Sequence, residues 1–176
     1  MTEYYTDAEL NSAQKQRKRV LAVYFIFAGV YLAISLALLL YYISLPYSGY
    51  RDTSDTISLI KFIEYSATVI FVVFSFIYLG IRFKRTNRYF KMCRHLSTGL
   101  KETSTGSFFE YDESIQDKEG VDFKSLIFLE WNKYKKEFYE RKVLVFYEKP
   151  FPKIPENANV TFVTQGNVLI SYEILS

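Results

Sequence analysis

The sequence predicts a membrane α-helical hairpin of two spans followed by a small all-β domain, a five-stranded barrel of OB or SH3-like type. Three observations carry that expectation. Two long blocks hold most of the Leu, Ile, Val, Ala and Phe. Basic residues crowd the edges of those blocks. Beyond residue 102 the apolar pattern switches to a period of two.

The first block, VLAVYFIFAGVYLAISLALLLYYISL, covers residues 20–45 and contains no charge. A helix needs about 20 apolar residues to cross ~30 Å of hydrocarbon, so this block spans with room for tilt. The second covers residues 57–83 and is free of charge from Tyr65 to Ile81. The first block is too long for a signal-peptide core of about 7–15 residues, and SLPYSGY offers no small-x-small cleavage site. It reads as a retained anchor. Two such runs inside a soluble protein of 176 residues would leave too little polar surface to dissolve it.

Charge sets the expected orientation. Lys15, Arg17, Lys18 and Arg19 precede the first block, and Arg82, Lys84, Arg85, Arg88, Lys91, Arg94 and Lys101 follow the second. Basic residues near span ends mark the cytoplasmic side, so both termini are expected there, with the short loop bearing Arg51, Asp52 and Asp55 outside. Arg82, Lys84, Arg85 and Arg88 are candidate contacts for anionic lipid headgroups, worth roughly 1 kcal/mol each near the surface. Nucleic acid is the weaker reading, because the basic residues hug the span exit and acids outnumber bases beyond Glu102. Tyr41, Tyr42, Tyr47 and Tyr50 at one edge, with Tyr89 and Phe90 at the other, suit an interfacial belt.

Within the spans, Gly29, Ala33 and Ala37 recur every four residues, a spacing that lets helix backbones approach closely in lipid. The expected partner is the second span, through Ser66, Ala67 and Ser75; a second copy of the chain is the alternative. Lys61 and Glu64 stand three apart, where they can pair on one helix face. Ionisable residues at membrane depth are candidates for function, although near the interface a Lys can snorkel and the pair can stay wet. Thr6-Asp7-Ala8-Glu9 fits a capping box, so a helix is expected to start near Asp7 and run into the first span. The second helix is expected to continue past its span and end near Gly99 or Gly106.

The organisation expected is therefore a tail and hairpin over residues 1–101 and a β-rich domain over 102–176. Candidate strands are GSFFEYDESI, VDFKSLIFLEW after a KEG turn, EFYERKVLVFYE after NKYKK, and NVTFVTQG with NVLISYEIL around a Gly166-Asn167 turn. KPFPKIPENA holds three of the 4 prolines and is a loop. Five short strands suit a small barrel, because closure removes exposed edges.

Catalytic chemistry finds little support. One Cys (Cys93) and one His (His95) supply neither a disulfide nor a four-ligand zinc site. There is no phosphate-binding glycine loop and no nucleophile elbow, and Glu110, Asp112, Glu113 and Asp117 read as a solvated face. No enzyme, cofactor or metal is expected. Trp131, Phe138 and Tyr139 are a candidate aromatic platform of the kind on which bases stack, or else barrel core or cross-strand pairs.

The closing NVTFVTQGNVLISYEIL is similar in pattern to the end of OB-like domains in NfeD-type proteins, and the arrangement resembles small bacterial membrane proteins with two spans and a cytoplasmic β-domain. It also resembles in outline the two-span, β-barrel effectors of bacterial anti-phage systems. The chain lacks most of the Gly and Pro that NfeD-type turns carry, so the resemblance implies an architecture and no functional residue. The functional expectation is an integral membrane accessory or scaffold protein, bound to the bilayer and to a membrane-protein partner or to copies of itself. The alternative is an effector or sensor whose barrel binds a small ligand such as a nucleotide and triggers oligomerisation.

Overall fold

The computed structural model describes residues 1–45, 51–132 and 134–175, and of residues 51–54 the backbone alone. Tyr47 and Tyr50 of the expected belt lie outside the described residues. The chain forms two compact units, Gln16–Thr86 on one hand and Met1–Lys15 with Asn87–Ser176 on the other.

The helical unit is built from α1 (Asp7–Ser44, whose first turns belong to the other unit) and α2 (Arg51–Ile77). A π-helical segment, Tyr78–Phe83, joins α2 to α3 (Lys84–Thr98) without a break. Both long helices are apolar and long enough to cross a membrane, and their most apolar windows are 0% buried. Phe25, Leu32, Ile70 and Phe76 all stand exposed. These apolar residues are therefore not covered by a protein core within the chain.

An aromatic and hydroxyl seam holds α1 to α2. Tyr31 stacks on Phe71 with centroids 4.4 Å apart, and its hydroxyl lies 2.9 Å from Thr68 Oγ1. Tyr24 donates to Ser75 at 3.5 Å, and Tyr78 donates to the Val20 carbonyl at 3.1 Å. Packed rings and interhelical hydrogen bonds therefore join the two helices. The stripe Gly29, Ala33, Ala37 is exposed on another face, with nothing within 4 Å of where a Gly29 Cβ would stand. The expectation that this stripe packs on the second span is corrected, because the bulkier Tyr24 and Tyr31 reach across instead. Ser75 does lie in the seam.

The second unit is a five-stranded barrel with an added N-terminal strand. Its strands are β1 (Thr2–Glu3), β2 (Glu102–Lys118), β3 (Val121–Asn132), β4 (Glu137–Phe146), β5 (Asn159–Gln165) and β6 (Val168–Ile174). Neighbours run β6-β4-β3-β2-β5, and β5 pairs again with β6 to close the circuit. All pairings are antiparallel except β4 with β6, which meet in parallel at Leu144 and Val168. This is the partly open Greek-key closure of an OB-type barrel. Two tight turns set the register. Glu119-Gly120 and Gly166-Asn167 have positive φ at both central positions, 57° and 76° in the first and 53° and 65° in the second. That geometry matches the strand twist and favours two-residue hairpins.

Phe108, Leu126, Phe128, Val143, Val145, Val160, Phe162 and Leu169 fill the barrel. A second cluster joins Tyr5 and Ala13 to Met92, Cys93 and Leu96 of α3 and to Phe123, Phe146 and Val168 at one barrel end. Tyr89 meets Phe146 edge-on at 5.5 Å, and Phe90 packs against the same cluster. These two rings therefore serve the barrel end, a correction to their expected place in an interfacial belt. α3 ends at Thr98, as expected. A Cβ on the following Gly99 would stand 2.6 Å from the His95 carbonyl and 2.5 Å from Gln165 Nε2.

The N-terminal segment is latched to this unit. Thr2 and Glu3 pair with Tyr172 and Ser171, and the amides of Tyr4 and Tyr5 both donate to the Ile170 carbonyl, at 2.8 and 2.9 Å. Tyr5 donates to the Cys93 carbonyl at 2.8 Å, and Ser97 donates to Asp7 at 3.1 Å. α1 does begin at Asp7, and the Glu9 carboxylate pairs with Lys149.

Candidate functional site

The β3–β4 hairpin carries the most exposed aromatic group of the barrel unit. Trp131 and Phe138 are direct cross-strand partners, with rings edge to face at 4.9 Å. They are 51% and 65% exposed, and Tyr134 in the turn is 98% exposed. The turn is braced from below. Asn132 Oδ1 accepts the amides of Tyr134 and Lys135 at 2.9 and 3.1 Å, and the Lys136 amide donates to the Asn132 carbonyl at 2.8 Å. Asn is suited to this because its short side chain mimics a backbone turn. Of the three candidate platform residues, Trp131 and Phe138 are the surface hairpin pair. Tyr139 points the other way along the strand.

Tyr139 belongs to a polar network that closes this end of the barrel. It donates to Glu130 directly opposite. That hydrogen bond to a carboxylate, with desolvation, pushes the Tyr139 hydroxyl pKa up. Arg141, on the same face two residues along, donates to Glu130 at 3.2 Å, Ser104 at 2.7 Å, Glu102 at 3.1 Å and Thr164 at 3.3 Å. It also lies 5.6 Å from the Phe162 ring centroid. One guanidinium thereby ties β2, β3, β4 and β5 together at the foot of the aromatic tip. Its planar fork of donors suits that task better than a lysine would. Sequence reading missed Tyr134 and this network. A signal existed for the network: in SLIFLEW and EFYERKVLVF, period two puts Glu130 and Arg141 on the inward faces of otherwise apolar strands.

The other candidate positions scatter. Arg82, Lys84 and Arg85 are exposed in or just beyond the π-helical segment. Arg88 lies over the β2–β3 turn, its Nη1 2.1 Å from where a Cβ on Gly120 would stand. It stays exposed, as the other three basic residues do. Among the described residues no ion pair joins Lys61 to Glu64. Lys61 is exposed, whereas Glu64 Oε2 is buried without a hydrogen-bond partner. The register set by Tyr24 with Ser75 and Tyr31 with Thr68 places Ser35 opposite Glu64, and Ser35 Oγ is likewise buried and unpartnered.

A shallow cleft of 280 Å³ lies between the N-terminal segment, the end of α3 and β6, lined by Tyr5, Asp7, Ser97, Lys101 and Ser171 among others. Cys93 is fully enclosed, and burial pushes its thiol pKa up, the reverse of what a nucleophile needs. Among the described residues no group of three or more His, Cys, Asp or Glu side chains is placed to hold a metal. The acidic stretch is mostly solvated, and Asp112 within it is held to about 2 by hydrogen bonds from Ser114, with Lys142 adding to the effect. Comparison with protein-family models, curated proteins and solved structures finds no match.

Proposed function

We propose that this chain is a non-enzymatic integral membrane accessory protein whose helical hairpin anchors it and whose barrel docks a partner protein through the β3–β4 tip. The observation that carries the proposal is the aromatic tip, Trp131, Tyr134 and Phe138, exposed on a hairpin whose turn is hydrogen-bonded by Asn132 above the Arg141 network. Trp and Tyr are enriched among the residues that dominate binding energy, and preorganisation lowers the ordering cost of association. The tip also lies at the barrel end remote from α3, beyond roughly 36 Å of β3 contour from the turn that Arg88 covers.

The membrane reading is supported by the unburied apolar windows of α1 and α2 and by the basic residues at their edges, which favour both termini on the cytoplasmic side. The ligand-sensing alternative has less to rest on, because Phe108, Phe128 and Phe162 fill the barrel interior. The test is a mild-detergent pull-down of the tagged full chain from its native membrane. A stoichiometric protein partner is expected, and it should be lost with Trp131→Ser/Phe138→Ser. A partner retained by that variant, or no partner at all, refutes the docking role of the tip.

A further inference from the structure

Three rows of polar side chains cross the seam between α1 and α2 at one register. Tyr24 meets Ser75 at 3.5 Å and Tyr31 meets Thr68 at 2.9 Å, so in these two rows the hydroxyls have partners. The third row is Ser35 opposite Glu64, one helical turn from Tyr31 and Thr68 respectively. It breaks the pattern. Ser35 Oγ and Glu64 Oε2 are both buried, and neither has a hydrogen-bond partner. Among the described residues no ion pair involves Glu64.

A buried carboxylate without a compensating charge is costly, and so is a buried hydroxyl without a partner. A water between the two would satisfy their hydrogen bonds and leave the charge uncompensated. The titratable neighbours do not supply the missing charge. Lys61 and Tyr65 stand exposed on α2, and Tyr31 on α1 is engaged with Thr68. What fits is one small positive charge held between two oxygens. Oxygen ligands suit a hard ion, and a single carboxylate offsets a single charge rather than the two of a calcium or magnesium ion. We propose that Glu64 and Ser35 form a binding site for one monovalent cation, an alkali ion or a proton, shared between the carboxylate and the hydroxyl. The chain's own atoms bury Glu64 Oε2, so this site does not depend on the membrane reading.

Dicyclohexylcarbodiimide, an apolar reagent for protonated carboxyl groups, tests it on the detergent-purified full chain in an alkali-free medium, with labelled acids located by peptide mass spectrometry. Glu64 should be labelled ahead of Glu110 and Glu113, which stand exposed on the barrel unit, and Glu64→Gln should abolish that label. Sodium, potassium and lithium chloride are then exchanged in at constant ionic strength. A salt that slows the label about tenfold when present at about ten times its Kd identifies an alkali ion as the occupant. A rate that none of the three changes identifies the proton, and either result supports the site. Thermal unfolding of Ser35→Ala, Glu64→Gln and the double variant supplies a second readout. Because the two side chains share one ion, the Tm shift of the double variant should differ from the sum of the single shifts by about 2–4 °C. An unlabelled Glu64, or single shifts that add, overturns the proposal.

Discussion

Tyr5 is the keystone of the N-terminal latch, and its replacement has calculable consequences. Its ring covers Cys93, Leu96 and Phe146, it is 5% exposed, and its hydroxyl donates to the Cys93 carbonyl at 2.8 Å. Tyr5→Phe removes one buried hydrogen bond from a carbonyl that keeps its helical partner, a loss of about 1–1.5 kcal/mol. Tyr5→Ala also removes the ring and opens a cavity, for a total of about 3–5 kcal/mol by analogy with large-to-small aromatic changes. Cys93 supplies the assay, since its thiol is fully enclosed beneath Tyr5. Maleimide labelling of the detergent-solubilised protein should follow local opening, so each 1.4 kcal/mol becomes a tenfold change in rate. Tyr5→Phe should label about tenfold faster than wild type, and Tyr5→Ala about two to four orders of magnitude faster. If Tyr5→Ala leaves Cys93 as protected as in wild type, the latch does not cover the barrel end and this account of the second cluster is wrong.

Three other outcomes are expected. Arg141→Ala should lower stability by about 3–5 kcal/mol, because Glu130 is left charged and enclosed, and adding Glu130→Gln should restore part of it; thermal unfolding of both variants checks this. Asp112 has a folded-state pKa of about 2, below its ordinary value of 3.8, so its contribution is present above pH ~4 and disappears as pH falls toward 2. The difference in Tm between wild type and Asp112→Asn should therefore shrink across that window, and a constant difference would contradict the assignment. Gly99→Ala should cost about 1–3 kcal/mol, because its Cβ would press on the His95 carbonyl; a neutral result in urea unfolding would show that the backbone yields there.

Much of the fold was legible because it is local. Uncharged runs of spanning length read directly as long helices, and period-two apolar residues with Gly166-Asn167 read as strands and a hairpin. What stayed hidden is non-local or too short to carry a pattern. β1 is two residues long and gains its pairing only from Tyr172 and Ser171, far along the chain. The parallel meeting of β4 with β6 depends on where a long loop delivers β5. The small-residue stripe was visible, but sequence cannot say that Tyr24 and Tyr31 would reach α2 first. The same limit applies to the candidate site. Trp131 and Phe138 stood out by type, whereas their exposure depended on β4 register, and the Arg141 network required four strands to converge.

The pairing of β1 with β6 also orders events in time. Translation proceeds from Thr2 toward Tyr172 at roughly 5–20 residues per second, so β1 waits some 10–30 s for its partner strand. During that wait α1 and α2 have both left the ribosome, exposed and strongly apolar. The barrel unit thus finishes after both helices. Its closure, delayed by contacts of very large sequence separation, follows whatever environment the helices have already found.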